Sequence, residues 1–265
     1  MKDYISQIET DFGSWGVVFS VRELFSKDPS PFKRIMENGF SRANSKMVFS
    51  VCPDDFNRNG DQNTIVYEVR SVFGDESHLG TLGAYPAGVD KLIEIGSEIN
   101  DDGNKKRKHL IIYISPHTSL TITDQEVIYG YVSRFGQSKF TASCDGIMKF
   151  LKSLRHVTSL EELKKISDGI DDDDRVKSLL FKKLLAHYGQ EIVEKMHSQD
   201  MNATVMMLAK FNYELVMNTL KKMVQGCLEE VPFDGDYAII GGITINTEKG
   251  DFFVFRDYSL NSVPY

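Results

Sequence analysis

Two short, unbroken apolar runs constrain this chain most: Leu110-Ile111-Ile112-Tyr113-Ile114, and Tyr237-Ala238-Ile239-Ile240-Gly241-Gly242-Ile243 closer to its end. Neither approaches the length of about 20 residues that a membrane-crossing helix needs. Both read as buried β-strands. A third run, Met47 to Cys52, is apolar and β-rich and stops at Pro53, the pattern of a buried strand that feeds a loop. Between and after these runs the periodicity turns helical, over 31–36, 90–98, 145–154, 159–166, 174–188 and a long Met-rich stretch at 202–228.

Five further segments carry expectations. Residues 16–25 are expected as a short amphipathic helix. Residues 64–74 alternate and are expected as an edge strand or hairpin arm, and residues 126–136 as a hairpin strand. Residues 237–247 and 251–258 are expected to form a closing hairpin. Strands alternating with helices predict one α/β domain over residues 1–265, with a mostly parallel central sheet flanked by helices. The charged stretches at 101–108 and Asp171 to Asp174 read as solvated breaks between elements.

The chain's 265 residues are enough for a full hydrophobic core. A net charge of -7 argues against a nucleic-acid partner, which a basic surface would serve. The first residues show neither a signal-peptide core nor an Arg/Ser-rich transit segment, so a cytoplasmic location is expected, or an organellar one if a transit peptide has been removed. Three cysteines do not describe a disulfide framework, and they point to a reducing compartment.

In open α/β sheets, functional side chains gather where strands end in loops. Cys52 ends one strand and His117 ends another. Cys144 stands at a loop-to-helix junction, where the helix dipole favours a thiolate. Two thiolates and an imidazole suit zinc, and three ligands leave the fourth tetrahedral position open, as in catalytic sites. The residues alone leave other readings open. Each cysteine also suits a small buried packing site, and His117 a loop hydrogen bond. A hydrolase with Cys52 or Cys144 as nucleophile and His117 as base is a third reading. Cys227 reads as a packing residue, and the remaining histidines as surface residues.

The neighbours of these residues narrow the choice. Cys52-Pro53-Asp54 with Arg58 nearby resembles the zinc loop of beta-class carbonic anhydrases, although His117 and Cys144 are far more widely separated than that class's His-x-x-Cys. The wider spacing is similar to the limiting-carbon-dioxide-inducible protein B family, the theta class of carbonic anhydrases. The similarity appears in Val51-Cys52-Pro53-Asp54-Asp55-Phe56-Asn57-Arg58, in Ser115-Pro116-His117, in Gly130 to Gln137 followed by Cys144, and in Tyr237 to Thr247. The resemblance implies a zinc ion held by Cys52, His117 and Cys144, and reversible hydration of carbon dioxide to bicarbonate by zinc-bound hydroxide. It also implies that Asp54 orients the zinc-bound water and that Arg58 pairs with Asp54 to keep it off the metal. Arg134, Phe56, Leu82 and Tyr85 are expected to line the substrate pocket. A catalytically inactive zinc-bearing assembly partner in inorganic-carbon uptake is the alternative within the same family. A homodimer is also implied, resting on the terminal hairpin and the helix at 202–228, unless those faces form an internal core.

Overall fold

The computed structural model describes residues 3–56, 63–74, 76–86, 88–101, 109–133, 140–169, 175–198, 200–230, 233 and 235–261. The N-terminal part contains α1 (Tyr4–Phe12), β1 (Val17–Ser20), α2 (Pro31–Glu37), β2 (Ser45–Val51), the single turn α3 (Pro53–Phe56), α4 (Ile65–Phe73), β3 (Glu76–His78) and α5 (Val89–Asp101). The middle holds β4 (His109–Ser115), β5 (His117–Ile122), β6 (Val127–Tyr129), β7 (Tyr131–Ser133) and β8 (Phe140–Ala142). Helices α6 (Asp145–Ser153), α7 (Leu160–Asp168), α8 (Arg175–His197) and α9 (Met201–Glu230) follow, then β9 (Tyr237–Asn246) and β10 (Phe252–Leu260). No helix among the described residues is long and apolar enough to cross a membrane.

The central sheet runs β1-β10-β9-β4-β2-β3, with β5 attached to β9 and β6 to β5. The pairs β2–β3, β2–β4, β4–β9 and β5–β9 are parallel, and β9–β10, β1–β10 and β5–β6 are antiparallel. This is the α/β architecture with a mostly parallel central sheet.

Side-chain alternation along each strand builds two cores. On β4, Ile111 and Tyr113 join Phe32 of α2 and Val69 and Phe73 of α4 on one face. Ile112 and Ile114 join Ile95 of α5 and Val216 and Leu220 of α9 on the other. Strands covered on both sides need near-continuous apolar sequence, which is why these runs stand out.

Three local expectations are overturned. Residues 65–73 form a helix, not an edge strand: Thr64 caps it by accepting from the Tyr67 N–H at 3.1 Å, and its buried residues Ile65, Val66, Val69 and Phe73 follow helical spacing. Residues 16–25 are not an amphipathic helix. Val17–Ser20 add an edge strand to β10, and a 3₁₀ turn at Val21–Glu23 follows, with Glu23 accepting from the Ser20 N–H at 3.0 Å. The expected strand at 126–136 is divided at Gly130, whose φ of 87° suits glycine. Its first part pairs with β5 and its second with β8.

Parts of the faces considered for a dimer are buried within the chain. Along β9, Ala238 to Asn246 are all buried, and α9 buries Leu208, Val216, Leu220 and Val224 in the core. Residues 102–108 and Asp171 to Asp174 lie outside the described residues.

Candidate metal centre

Strand register brings the site together. Val51, the last residue of β2, pairs with Ser115, the last residue of β4. The chains leaving these parallel neighbours therefore emerge side by side, and Cys52 and His117 follow directly. Strand β9 extends beyond β4 and pairs with β5 as well, setting His117 opposite Thr244. Asn246 is two residues further along β9, so it shares a face with Thr244 and meets His117 diagonally.

Cys144 joins them as the N-cap residue of α6. The loop between β3 and α5 closes over this junction. A Cβ on Gly80 would overlap the Val51 backbone, and Leu82 packs against Gly146 in the first turn of α6. Ser50 Oγ donates to the Ala84 carbonyl at 2.8 Å and ties the same loop to β2.

The ligand atoms of Cys52, Asp54, His117 and Cys144 all lie within 4.8 Å of one another. Cys52, His117 and Cys144 are buried, and Asp54 is the exposed member. The two sulfur atoms are 4.0 Å apart. On a tetrahedral zinc ion with Zn–S bonds of about 2.3 Å, two thiolates sit about 3.8 Å apart. His117 Nδ1 is engaged by Asn246 Oδ1 at 2.8 Å, whereas Nε2 is buried without a hydrogen-bond partner. A buried imidazole nitrogen left open beside two sulfurs is a donor set that fits zinc.

Charge is shared among the three buried groups. The hydrogen bond from Cys144 lowers Cys52 to about 3, against the effect of burial and with further help from His117. Burial works against the imidazolium of His117, but contact with Cys52 outweighs it and lifts the ring to about 9. Cys144 is pushed well above the usual thiol range, first by Cys52 and then by burial. The helix N-terminus does act on Cys144 through the Ile147 N–H, as the sequence predicts, yet it is overruled because Cys52 already carries the negative charge. A cation placed among these groups removes that conflict.

The remaining predicted residues are distributed unevenly. Leu82 is half-buried beside the Cys144 helix. Tyr85 is buried, and its hydroxyl accepts from Lys183 Nζ of α8 at 2.7 Å. Phe56 closes the α3 turn, and its side chain lies outside the described residues, as do Arg58 and Arg134. Cys227 is 7 % exposed and packs in the core. Two histidines read as surface residues are only partly exposed. His78 contacts the Val51 carbonyl at 3.0 Å, and His109 is half-buried against Phe40, with ring centroids 4.7 Å apart.

Three polar residues around His117 escape a reading of the sequence: Asp55, Asn246 and Asp251, exposed by 1 %, 3 % and 2 %. The available signal is Asn246 itself, an amide at the end of an otherwise apolar strand.

Fold and site together define an α/β protein with a candidate metal centre at the carboxyl ends of two parallel strands. Residues 32–261 match the family of limiting CO2-inducible proteins B/C beta carbonic anhydrases, and the chain belongs to that family. Among solved structures, PtLCIB4, a homologue of the limiting CO2-inducible protein LCIB, superposes with a TM-score of 0.73 at 18% identity, covering 98% of both chains. LCIB itself superposes with a TM-score of 0.62 at 14% identity, covering 99% of this chain and 98% of its own. At these identities the likeness is one of fold. A comparison with curated protein sequences finds no match.

Proposed function

We propose that the chain is a zinc-dependent carbonic anhydrase that interconverts carbon dioxide and bicarbonate. The observation that carries this reading is the convergence of Cys52, His117 and Cys144 beside the exposed carboxylate of Asp54. Cys52, His117 and Cys144 would hold the metal, which supplies the Lewis acidity that brings the pKa of water from about 15.7 toward about 7.

The chain's own residues have separate tasks in this proposal. The two sulfurs donate more negative charge than imidazoles would, so water activation depends more on a neighbouring base. Asp54 accepts a hydrogen bond from the attacking water at a carboxylate oxygen and aims its lone pair at carbon dioxide. The oxygen bonds to carbon, bicarbonate forms, and the proton leaves to solvent. Arg58 pairs with Asp54 and keeps it from becoming a fourth ligand. Leu82, with Phe56, Tyr85 and Arg134, walls the space for a small apolar substrate. A Cys52–His117 hydrolase would leave Cys144, 4.0 Å from the nucleophile, without a task.

Asp54→Ala tests the assignment. It is expected to keep stoichiometric zinc and lower kcat for hydration by about 100-fold or more, the range of a lost proton-handling group. An Asp54→Ala protein with unchanged kcat would remove Asp54 from the mechanism. Purified wild type that takes up no zinc would overturn the proposal as a whole.

A further inference from the structure

Asn246 makes three polar contacts at the centre. Its Nδ2 donates to Asp55 Oδ1 at 3.0 Å and to Asp251 Oδ1 at 3.1 Å, and its Oδ1 is 2.8 Å from His117 Nδ1. All four residues are buried. Carboxylates only accept, so both amide hydrogens of Asn246 must point at Asp55 and Asp251. The amide oxygen is then the group facing the ring, and Nδ1 is the nitrogen that keeps its hydrogen once the imidazolium gives up a proton to a metal. Nε2 is therefore the nitrogen that the two cysteines can share with a metal. The tautomer of His117 is dictated by two carboxylates that lie beyond the amide.

The same amide joins three segments. His117 opens β5. Asp55 belongs to α3, the turn that carries Asp54. Asp251 sits between β9 and β10, and its Oδ2 accepts from the Ile65 N–H at the start of α4 at 3.2 Å. A buried asparagine needed only to satisfy its own polarity has no reason to bridge a ligand, the turn bearing the exposed acid and a helix start. Groups that hydrogen-bond the outer nitrogen of a metal-ligating histidine fix its orientation, and their loss costs about 10–100-fold in metal affinity.

We propose that Asn246 is a positioning residue of this centre: its amide sets His117 with Nδ1 as donor and tethers the Asp54 turn to that ring through Asp55. The inference rests on the reading of Cys52, His117 and Cys144 as a zinc site. Without the amide, the ring regains rotation about a broad torsion and access to the other tautomer.

The test uses the full chain, wild type and as Asn246→Ala and Asn246→Asp. It measures zinc affinity by chelator competition, urea midpoint, and the side-chain nitrogen resonances of ¹⁵N-labelled histidine, with His117→Gln to assign His117. In zinc-loaded wild type, His117 is expected to show a protonated Nδ1 and a metal-bound Nε2. Asn246→Ala is expected to bind zinc about 10–100-fold more weakly, with displaced His117 resonances. Asn246→Asp keeps an acceptor for Nδ1 but sets a third carboxylate against Asp55 and Asp251. Its zinc affinity is expected to recover toward wild type while its urea midpoint falls.

That divergence is what a merely structural asparagine would not produce. Affinity that tracks stability across both variants would overturn the inference, and so would wild-type affinity in Asn246→Ala. A zinc-bound Nδ1 in the wild type would overturn it even if neither variant folds. Wild type that binds no zinc would remove the metal-site reading and this inference together, whereas each other negative outcome removes only the inference.

Discussion

The sulfur atoms of Cys52 and Cys144 lie 4.0 Å apart although 92 residues separate them in sequence. Neither has a second cysteine or a histidine close by in sequence to form a paired-ligand motif. Their meeting is a product of topology: one cysteine leaves a central strand, and the other begins a helix that the β3–α5 loop packs into place. The pair is therefore a sensitive reporter on whether the fold builds a metal site.

Zinc at 100 times its dissociation constant is expected to stabilise the wild type by about 2.7 kcal/mol against urea, because only the folded chain assembles the donors. Cys52→Ser and Cys144→Ser are expected to abolish that shift. An equal shift in the serine variants would place the zinc elsewhere.

Proton release provides a second check. In the metal-free protein His117 titrates near 9, and Cys144 titrates well above the usual thiol range, while Cys52 is already a thiolate. Between pH 7 and 8.5, both His117 and Cys144 carry protons that a metal must displace. Lower pH therefore weakens binding, and each molecule of zinc bound should release about two protons, a roughly 100-fold gain in apparent affinity per pH unit. Calorimetry in buffers of different ionisation enthalpy measures this number. Release of no protons would contradict the charge distribution described for the three ligands.

Gly80 marks where the loop touches the strand that presents Cys52. Because an added Cβ would meet the Val51 backbone rather than a movable side chain, Gly80→Ala is expected to cost about 2–3 kcal/mol and to weaken zinc binding with it. Denaturant unfolding and metal analysis check both effects. An unperturbed variant would show that the loop does not brace the site.

Gly96 predicts the opposite sign. It lies inside α5, and an added Cβ would meet Cys227 Sγ at 3.7 Å, an ordinary contact in an apolar part of the core. Gly96→Ala is expected to stabilise the chain by about 0.5–1 kcal/mol by restricting the unfolded backbone. A loss of stability would mean that α5 cannot accept the methyl group without moving from α9.

These contrasts also explain what was legible in the sequence. Strands β2, β4 and β9 were readable because burial on both faces demands unbroken apolar runs. Helix α4 was not, since Ile65, Val66, Val69 and Val72 are β-branched and the helical spacing competes with an alternating pattern. Its cap at Thr64 and the glycine after Phe73 were the better signals. In the centre, Cys52 could be singled out as the residue leaving a strand, whereas His117, expected to end a strand, instead opens β5 because β4 stops at Ser115. Their closeness to Asn246 could not be read, because it depends on β9 pairing with β4 and β5 in succession. The polar frame of Asp55, Asn246 and Asp251 exists only in three dimensions.

Whether this centre hydrates carbon dioxide, as proposed, is decided by stopped-flow hydration on protein with verified zinc content. Zinc-dependent turnover is expected in the wild type, and its loss, together with the metal, in Cys144→Ser. Full zinc occupancy with no hydration at any pH from about 7 to 9 would contradict the proposal.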